Sequence, residues 1–270
     1  MTTTMGTTDK TTVPSLQAAG LGHHYGQHCV LRDISFGVTS GEFVCIVGPS
    51  GVGKSTLLRC LSGLQRPTDG SVLFQGAPVA GPPRELALVF QDYSRSLLPW
   101  ASVIDNVALP LRAGGLRKAA ARDAAAAALD EVGLGKVAPS AYPWQLSGGM
   151  QQRVAIARAL AYQPSIVLMD EPFASVDAQT RADLEDLVRR LQVELGLTVL
   201  LVTHDIDEAV YLSDRIIALA GSPAGVAEVV DVDLGPDRDQ LNTKLLPRFA
   251  ELRAHVYRLI RGSRADQDHD

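Results

Sequence analysis

The sequence predicts an α/β fold: a mostly parallel sheet covered by helices on both faces, with a small antiparallel β layer and a helical insert beside it. Three observations carry that prediction. Apolar segments of strand length alternate with longer amphipathic stretches. One of these segments, Phe43 to Val47, runs directly into the glycine-rich stretch Gly48-Pro49-Ser50-Gly51-Val52-Gly53-Lys54-Ser55-Thr56, after which Leu57, Leu58 and Leu61 share one helical face. Gln91, Asp170 and His204 each follow a strand-type segment too, so all three belong at the carboxyl edge of a sheet, where ligand loops gather.

Taken in order, residues Met1 to about Pro14 are polar and threonine-rich without period, which reads as a disordered tail. Alternation between Leu16 and Val38, as in Ile34-Ser35-Phe36-Gly37-Val38, suggests short strands, and Ser71 to Phe74 adds another after the turn signals Pro67 and Gly70. These form the antiparallel layer. Leu86 to Phe90 is a second buried-type strand. Helical patterns then run from Ser102 to Leu111, through the alanine-rich Leu116 to Val132, and, past the break at Pro139 to Pro143, from Ser147 to Pro164. Ser165 to Met169 is a third buried strand, Asp177 to Leu195 an amphipathic helix closed by Gly196, Leu197 to Thr203 a fourth strand, and Ile216 to Ala220 a fifth beyond a helix after His204. Between Ala224 and Ile260 the spacing of Phe249, Leu252, Val256 and Leu259 is amphipathic, as expected of a segment packed on the main domain.

Composition narrows the function classes. With 270 residues and 46% hydrophobic content the chain can bury a substantial core. A net charge of −5 and the lack of a basic stripe argue against a protein whose main task is gripping a nucleic-acid backbone. Cys29, Cys45 and Cys60 lack CxxC spacing, which suits buried free thiols in a reduced cytosolic compartment. Apolar runs such as Ile166 to Met169 are too short to span a bilayer, so any work at a membrane depends on partners.

The glycine-rich stretch is the chemical centre. Its glycines let successive N–H groups point at phosphate oxygens, and the helix opening near Lys54 adds the positive end of its dipole. Lys54 suits the β- and γ-phosphates, the Ser55 hydroxyl suits Mg²⁺, and Thr56 the α-phosphate. Asp170 and Glu171 end the third strand, where two adjacent carboxylates are costly without compensating charge. In the functional reading Asp170 holds Mg²⁺ and Glu171 polarises the water that attacks the γ-phosphate.

With those residues in hand, the stretch from Leu16 to Ala220 resembles the ATP-binding subunits of ABC transporters. The most specific match is Leu146-Ser147-Gly148-Gly149-Met150, similar to the family signature LSGGQ with Met150 in place of Gln. The resemblance implies a P-loop NTPase fold of the ABC ATPase type, with a RecA-like mostly parallel sheet. It implies that Ser147, Gly148 and Gly149 form an anion cradle facing the γ-phosphate of an ATP held by a second copy. It further implies that Tyr25 stacks on adenine, that Gln91 touches the metal and the attacking water, and that His204 contacts the γ-phosphate. Ala174-Ser175-Val176-Asp177 is similar to the family loop SALD only at Asp177. Leu97-Leu98-Pro99-Trp100 and Val103-Ile104-Asp105-Asn106-Val107 look like the group energising uptake of nitrate, taurine and other sulfonates.

The expectation is therefore an ATPase using ATP and Mg²⁺. It dimerises with a second copy of itself and sits peripherally on the cytoplasmic face of a membrane against permease subunits, with a solute-binding protein as an indirect partner and no nucleic acid. The expected organisation is a tail over 1–14, a nucleotide-binding core over 15–93 and 162–221, a helical subdomain over 94–161, and an extension over 222–270. Two alternatives stay open: an ABC-type ATPase acting on DNA or ribosomes, and a P-loop small-molecule kinase, which gives no reason for Leu146 to Met150.

Overall fold

The computed structural model describes residues 13–92, 96–136 and 140–265, without the side chains of 262–265. Most of the expected tail, Pro139, the first residues of the expected insert and the last five residues lie outside this range.

Two sheets are present. Strands β1 (Leu16–Tyr25), β2 (His28–Val38), β4 (Asp69–Phe74) and the two-residue β5 (Ala77–Pro78) form an antiparallel sheet in the order β2-β1-β4-β5. The second contains β3 (Phe43–Val47), β6 (Leu86–Val89), β7 (Ile166–Asp170), β8 (Thr198–Val202), β9 (Arg215–Ala220) and β10 (Gly225–Asp231), in the order β10-β9-β3-β8-β7-β6. Every pairing in it is parallel except that of β10 with β9. The sequence pattern did not announce β10, and β1 and β2 are longer than the short strands expected.

All five residues of β3 and all five of β8 are buried, as uninterrupted apolar strands must be when both sheet faces are covered. The pleat divides them. Val44 and Ile46 join a core with Leu57, Leu58 and Leu61 of α1 (Lys54–Leu61) and with the antiparallel layer. Phe43, Cys45 and Val47 join the opposite core. That core contains residues of α2 (Val103–Ala113), α3 (Lys118–Glu131), α4 (Gly148–Leu160), α5 (Ala178–Leu195), α6 (Ile206–Leu212) and α7 (Pro247–Ala265).

Caps fix the helix starts near the site. Ser102, Ser147 and Asp177 each accept a backbone N–H three residues on, from Asp105, Met150 and Thr180, and so begin α2, α4 and α5. Fully buried Asn106 ties down the Leu98–Ser102 loop: its amide donates to the carbonyls of Leu98, Ala101 and Ser102, and its oxygen accepts the Leu98 N–H. Phe249, Leu252 and Val256 anchor α7, as their spacing predicted.

Candidate functional site

The glycine-rich stretch connects β3 to α1, with Gly51 at φ 79° and Gly53 at φ 109°, conformations that side-chain-bearing residues rarely adopt. Gly53 is also a close approach, since a Cβ there would lie 2.8 Å from Val30 Cγ1 and 2.9 Å from Leu31 Cδ2. No side chain caps α1, so its first N–H groups are left for an anion. Lys54 is 5% exposed, and its Nζ donates to the carbonyls of Gly48 at 2.9 Å and Pro49 at 3.0 Å. Burial pulls its pKa down, and the nearby Glu171 and Asp170 push it back up. The cation is thus held across the loop by neutral acceptors, which a phosphate oxygen outcompetes.

Three segments distant in sequence converge beside it. Ser55 Oγ donates to Asp170 Oδ1 at 3.3 Å. Gln91 Nε2 donates to Glu171 Oε2 at 3.2 Å, and His204 Nδ1 lies 3.0 Å from the same oxygen. Burial raises the pKa of Asp170, and the Ser55 bond is the largest opposing influence. Glu171 has φ 43°, a strained left-handed value for a glutamate, and its N–H donates to Val202 O at 2.8 Å. A hydroxyl, a burial-destabilised carboxylate and an amide oxygen are the hard donors that Mg²⁺ accepts, so Ser55, Asp170 and Gln91 fit the metal role the sequence assigned them. Among the described residues there is no cluster of three or more His, Cys, Asp or Glu that could hold a metal ion.

Tyr25, Ser147, Gly148, Gly149 and Asp177 make no hydrogen bond to this cluster among the described residues. Tyr25 is 47% exposed, and its hydroxyl bonds to Gln65. Ser147, Gly148 and Gly149 open α4, and Gly149 is buried because α5 passes close by: a Cβ on it would lie 2.2 Å from Thr180 Cγ2. Asp177 caps α5, accepting from Thr180 N at 3.0 Å and Thr180 Oγ1 at 2.7 Å. Among the described residues no hydrogen bond joins Ser147–Gly149 to the glycine-rich loop.

A family model described as ABC transporter matches residues 31–174, from before the phosphate loop through Glu171. The chain belongs to that family. Tyr25, Asp177 and His204 fall outside the matched span. Among relatives of this ABC protein, "Aliphatic sulfonates import ATP-binding protein SsuB 1" of Xanthomonas axonopodis is 49% identical over 227 residues, 83% of this chain and 88% of the relative. "Nitrate transport protein NasD" of Klebsiella oxytoca is 39% identical over 255 residues, 92% of this chain and 96% of the relative. A solved bacterial ABC transporter cassette, described as a dimeric structure, superposes with a TM-score of 0.70 at 33% identity, covering 80% of this chain and 98% of that one. The fold expected from the sequence, an ABC-type ATPase with a parallel sheet and an antiparallel layer, is the fold observed.

Sequence reasoning missed several residues around the site. His23 and Gln65 support Tyr25. Thr180 links the α4 and α5 starts. Glu208 is 4% exposed, accepts from Thr203 Oγ1 at 2.6 Å and so braces the segment carrying His204. Only His23, two positions before Tyr25 on the same strand face, offered a sequence signal.

Proposed function

We propose that this ABC ATPase is the energising subunit of an importer for a small oxyanion-bearing solute such as nitrate, taurine or another sulfonate. It works as a nucleotide-sandwich dimer with a second copy of itself on membrane permease subunits, fed by a solute-binding protein. The observation that carries the reading is the loop at Lys54 beside the Ser55, Asp170, Glu171, Gln91 and His204 cluster, with Ser147–Gly149 opening a separate helix that no hydrogen bond among the described residues joins to that loop. The solute class is suggested by relatives named for sulfonate and nitrate transport. Those names give no support to a DNA- or ribosome-associated role.

In this reading the N–H groups of 48–53, with Lys54 and Thr56, bind the phosphates of ATP, and Tyr25 stacks on adenine. Ser55, Asp170 and Gln91 would hold Mg²⁺, which would supply positive charge to offset that of the phosphates. Glu171 accepts the proton of the attacking water, Gln91 orients that water, and His204 donates to the γ-phosphate. Ser147, Gly148, Gly149 and Asp177 complete the site from the opposite copy.

The chain divides functionally into the nucleotide core over 15–93 and 162–221, the insert over 94–161 that meets the permease, and the extension over 222–270. A permease contact is supported by a surface groove where Leu88, Phe90, Leu109, Pro110 and Tyr162 are joined by the charged Arg158, and by the separately exposed Trp100, 74% open. Among the described residues no helix is long and apolar enough to cross a membrane, in keeping with a peripheral position on the cytoplasmic face held by partners.

Purified Glu171→Gln protein tests the core of this. It is expected to bind ATP, to elute as an ATP-dependent dimer, and to release phosphate at least about 100-fold more slowly than the parent, the scale of a lost general base. Hydrolysis at the parental rate would overturn the role of Glu171. A strictly monomeric ATP-loaded protein, even beside its permease, would overturn the sandwich.

A further inference from the structure

Tyr25 ends β1 just before a turn at Gly26 (φ 60°), with about half its surface open. An exposed tyrosine explores alternative rotamers unless its neighbours prevent it. Here they do. The rings of His23 and Tyr25 meet edge to face, with centroids 4.8 Å apart and planes at 78°. Gln65 grips the phenol with both ends of its amide: the Tyr25 hydroxyl donates to Gln65 Oε1 at 3.1 Å, and Gln65 Nε2 donates to the hydroxyl oxygen at 3.0 Å. Hydrogen bonds from Thr56 and then Gln65 draw the phenol pKa below its usual value.

Gln65 is held in turn. Its Nε2 is in short contact with His23 Nε2, and its backbone N–H donates to Arg59 O at 3.1 Å, near the end of α1. His23 is 5% exposed, and its Nδ1 is buried without a hydrogen-bond partner among the described residues. An apolar ring at this position would avoid that unsatisfied nitrogen. What it could not supply is the Nε2 contact that orients Gln65. Gln65 follows the last turn of α1, the helix that opens at the phosphate loop, so the phenol is tied to the structure that carries that loop.

We propose that His23 and Gln65 are positioning residues for recognition of the nucleotide base: they clamp the Tyr25 ring so that its exposed face is presented to a purine. This rests on the reading of Tyr25 as the base platform, and the test separates the two. ATP and inorganic tripolyphosphate, which has no base, are titrated against full-length parent, Tyr25→Ser, Tyr25→Phe, Gln65→Leu and the Tyr25→Phe/Gln65→Leu double variant.

Gln65→Leu is expected to weaken ATP by about 3- to 10-fold, the scale of one or two neutral hydrogen bonds, and to leave tripolyphosphate unchanged. Tyr25→Phe, which removes only the hydroxyl, is expected to show a similar loss, and adding Gln65→Leu to it should cost little more because both act through one contact. If Tyr25→Ser leaves ATP affinity unchanged, the platform reading falls and the clamp with it. If Tyr25→Ser weakens ATP but Gln65→Leu does not, or weakens tripolyphosphate equally, the clamp alone is overturned. Should Gln65→Leu fail to fold, Tyr25→Phe decides: undiminished ATP affinity overturns the proposal.

Discussion

Gly149→Ala is the substitution whose outcome the packing defines most sharply. The new Cβ would sit 2.2 Å from Thr180 Cγ2, so Thr180 must turn away. Its hydroxyl cannot follow freely, because Oγ1 donates to Asp177 Oδ2 at 2.7 Å as part of the cap that begins α5. Alanine in place of a helical glycine gains about 1 kcal/mol of helix propensity. Against it stand about 1–3 kcal/mol of overpacking and about 1 kcal/mol from the disturbed hydrogen bond. The net loss is roughly 1–3 kcal/mol, which in a chain of this size lowers Tm by roughly 2–10 °C. Thr180→Ser removes the offending methyl and keeps the hydroxyl on Asp177. The Gly149→Ala/Thr180→Ser double variant should therefore be about 1–2 kcal/mol more stable than the sum of its single variants. Circular-dichroism melting of all four proteins measures this. Stability is the readout because Gly149 also belongs to the proposed anion cradle. Additivity within about 0.5 kcal/mol, or a rise in Tm for Gly149→Ala alone, would refute the contact as the cause.

Burial pushes the Glu208 carboxyl up to about 7, against 4.5 for a free glutamate. The folded protein therefore binds this proton more tightly than the unfolded chain, and the group destabilises increasingly as pH rises from about 4.5 to about 7, then stays constant. Glu208→Gln should gain Tm relative to the parent across that window in a melting series from pH 5 to 8; a pH-independent difference would contradict it. Chelation with EDTA is expected to stop phosphate release while ATP binding persists, and Asp170→Asn should reproduce that split with metal present, about 100-fold down in hydrolysis on the scale of one lost charge-stabilising group. Equal loss of nucleotide binding on chelation would show that metal is needed for capture and not only for hydrolysis.

The central strands were legible because burial on both faces demands contiguous apolar residues: Phe43 to Val47 and Ile166 to Met169 carry their assignment within five or so residues. The phosphate loop was legible because few other residue sets can make its backbone turns. β10 was not legible. Only Val230 of its seven residues is fully buried, Glu228 interrupts its apolar pattern, and its place depends on antiparallel pairing with β9. The Gly149–Thr180 approach and the contacts of Gln65 with His23 and Tyr25 join residues 31 to 42 positions apart through tertiary packing, which local pattern does not encode. The roles of Ser147 to Gly149 were read from a motif; their local chemistry alone would have said helix cap.

Glu171 hangs by its own amide from Val202, and His204 follows that residue by two positions, while Asp170 stands in register with Val202 across the β7–β8 pair. Glu171, His204 and Asp170 thus sit at the carboxyl ends of two neighbouring strands in the middle of a sheet buried on both sides. They form an anvil. In the proposed dimer these groups have little freedom to rearrange among themselves, so the moving part would be the hammer, the Ser147 end of the insert brought in by the other copy.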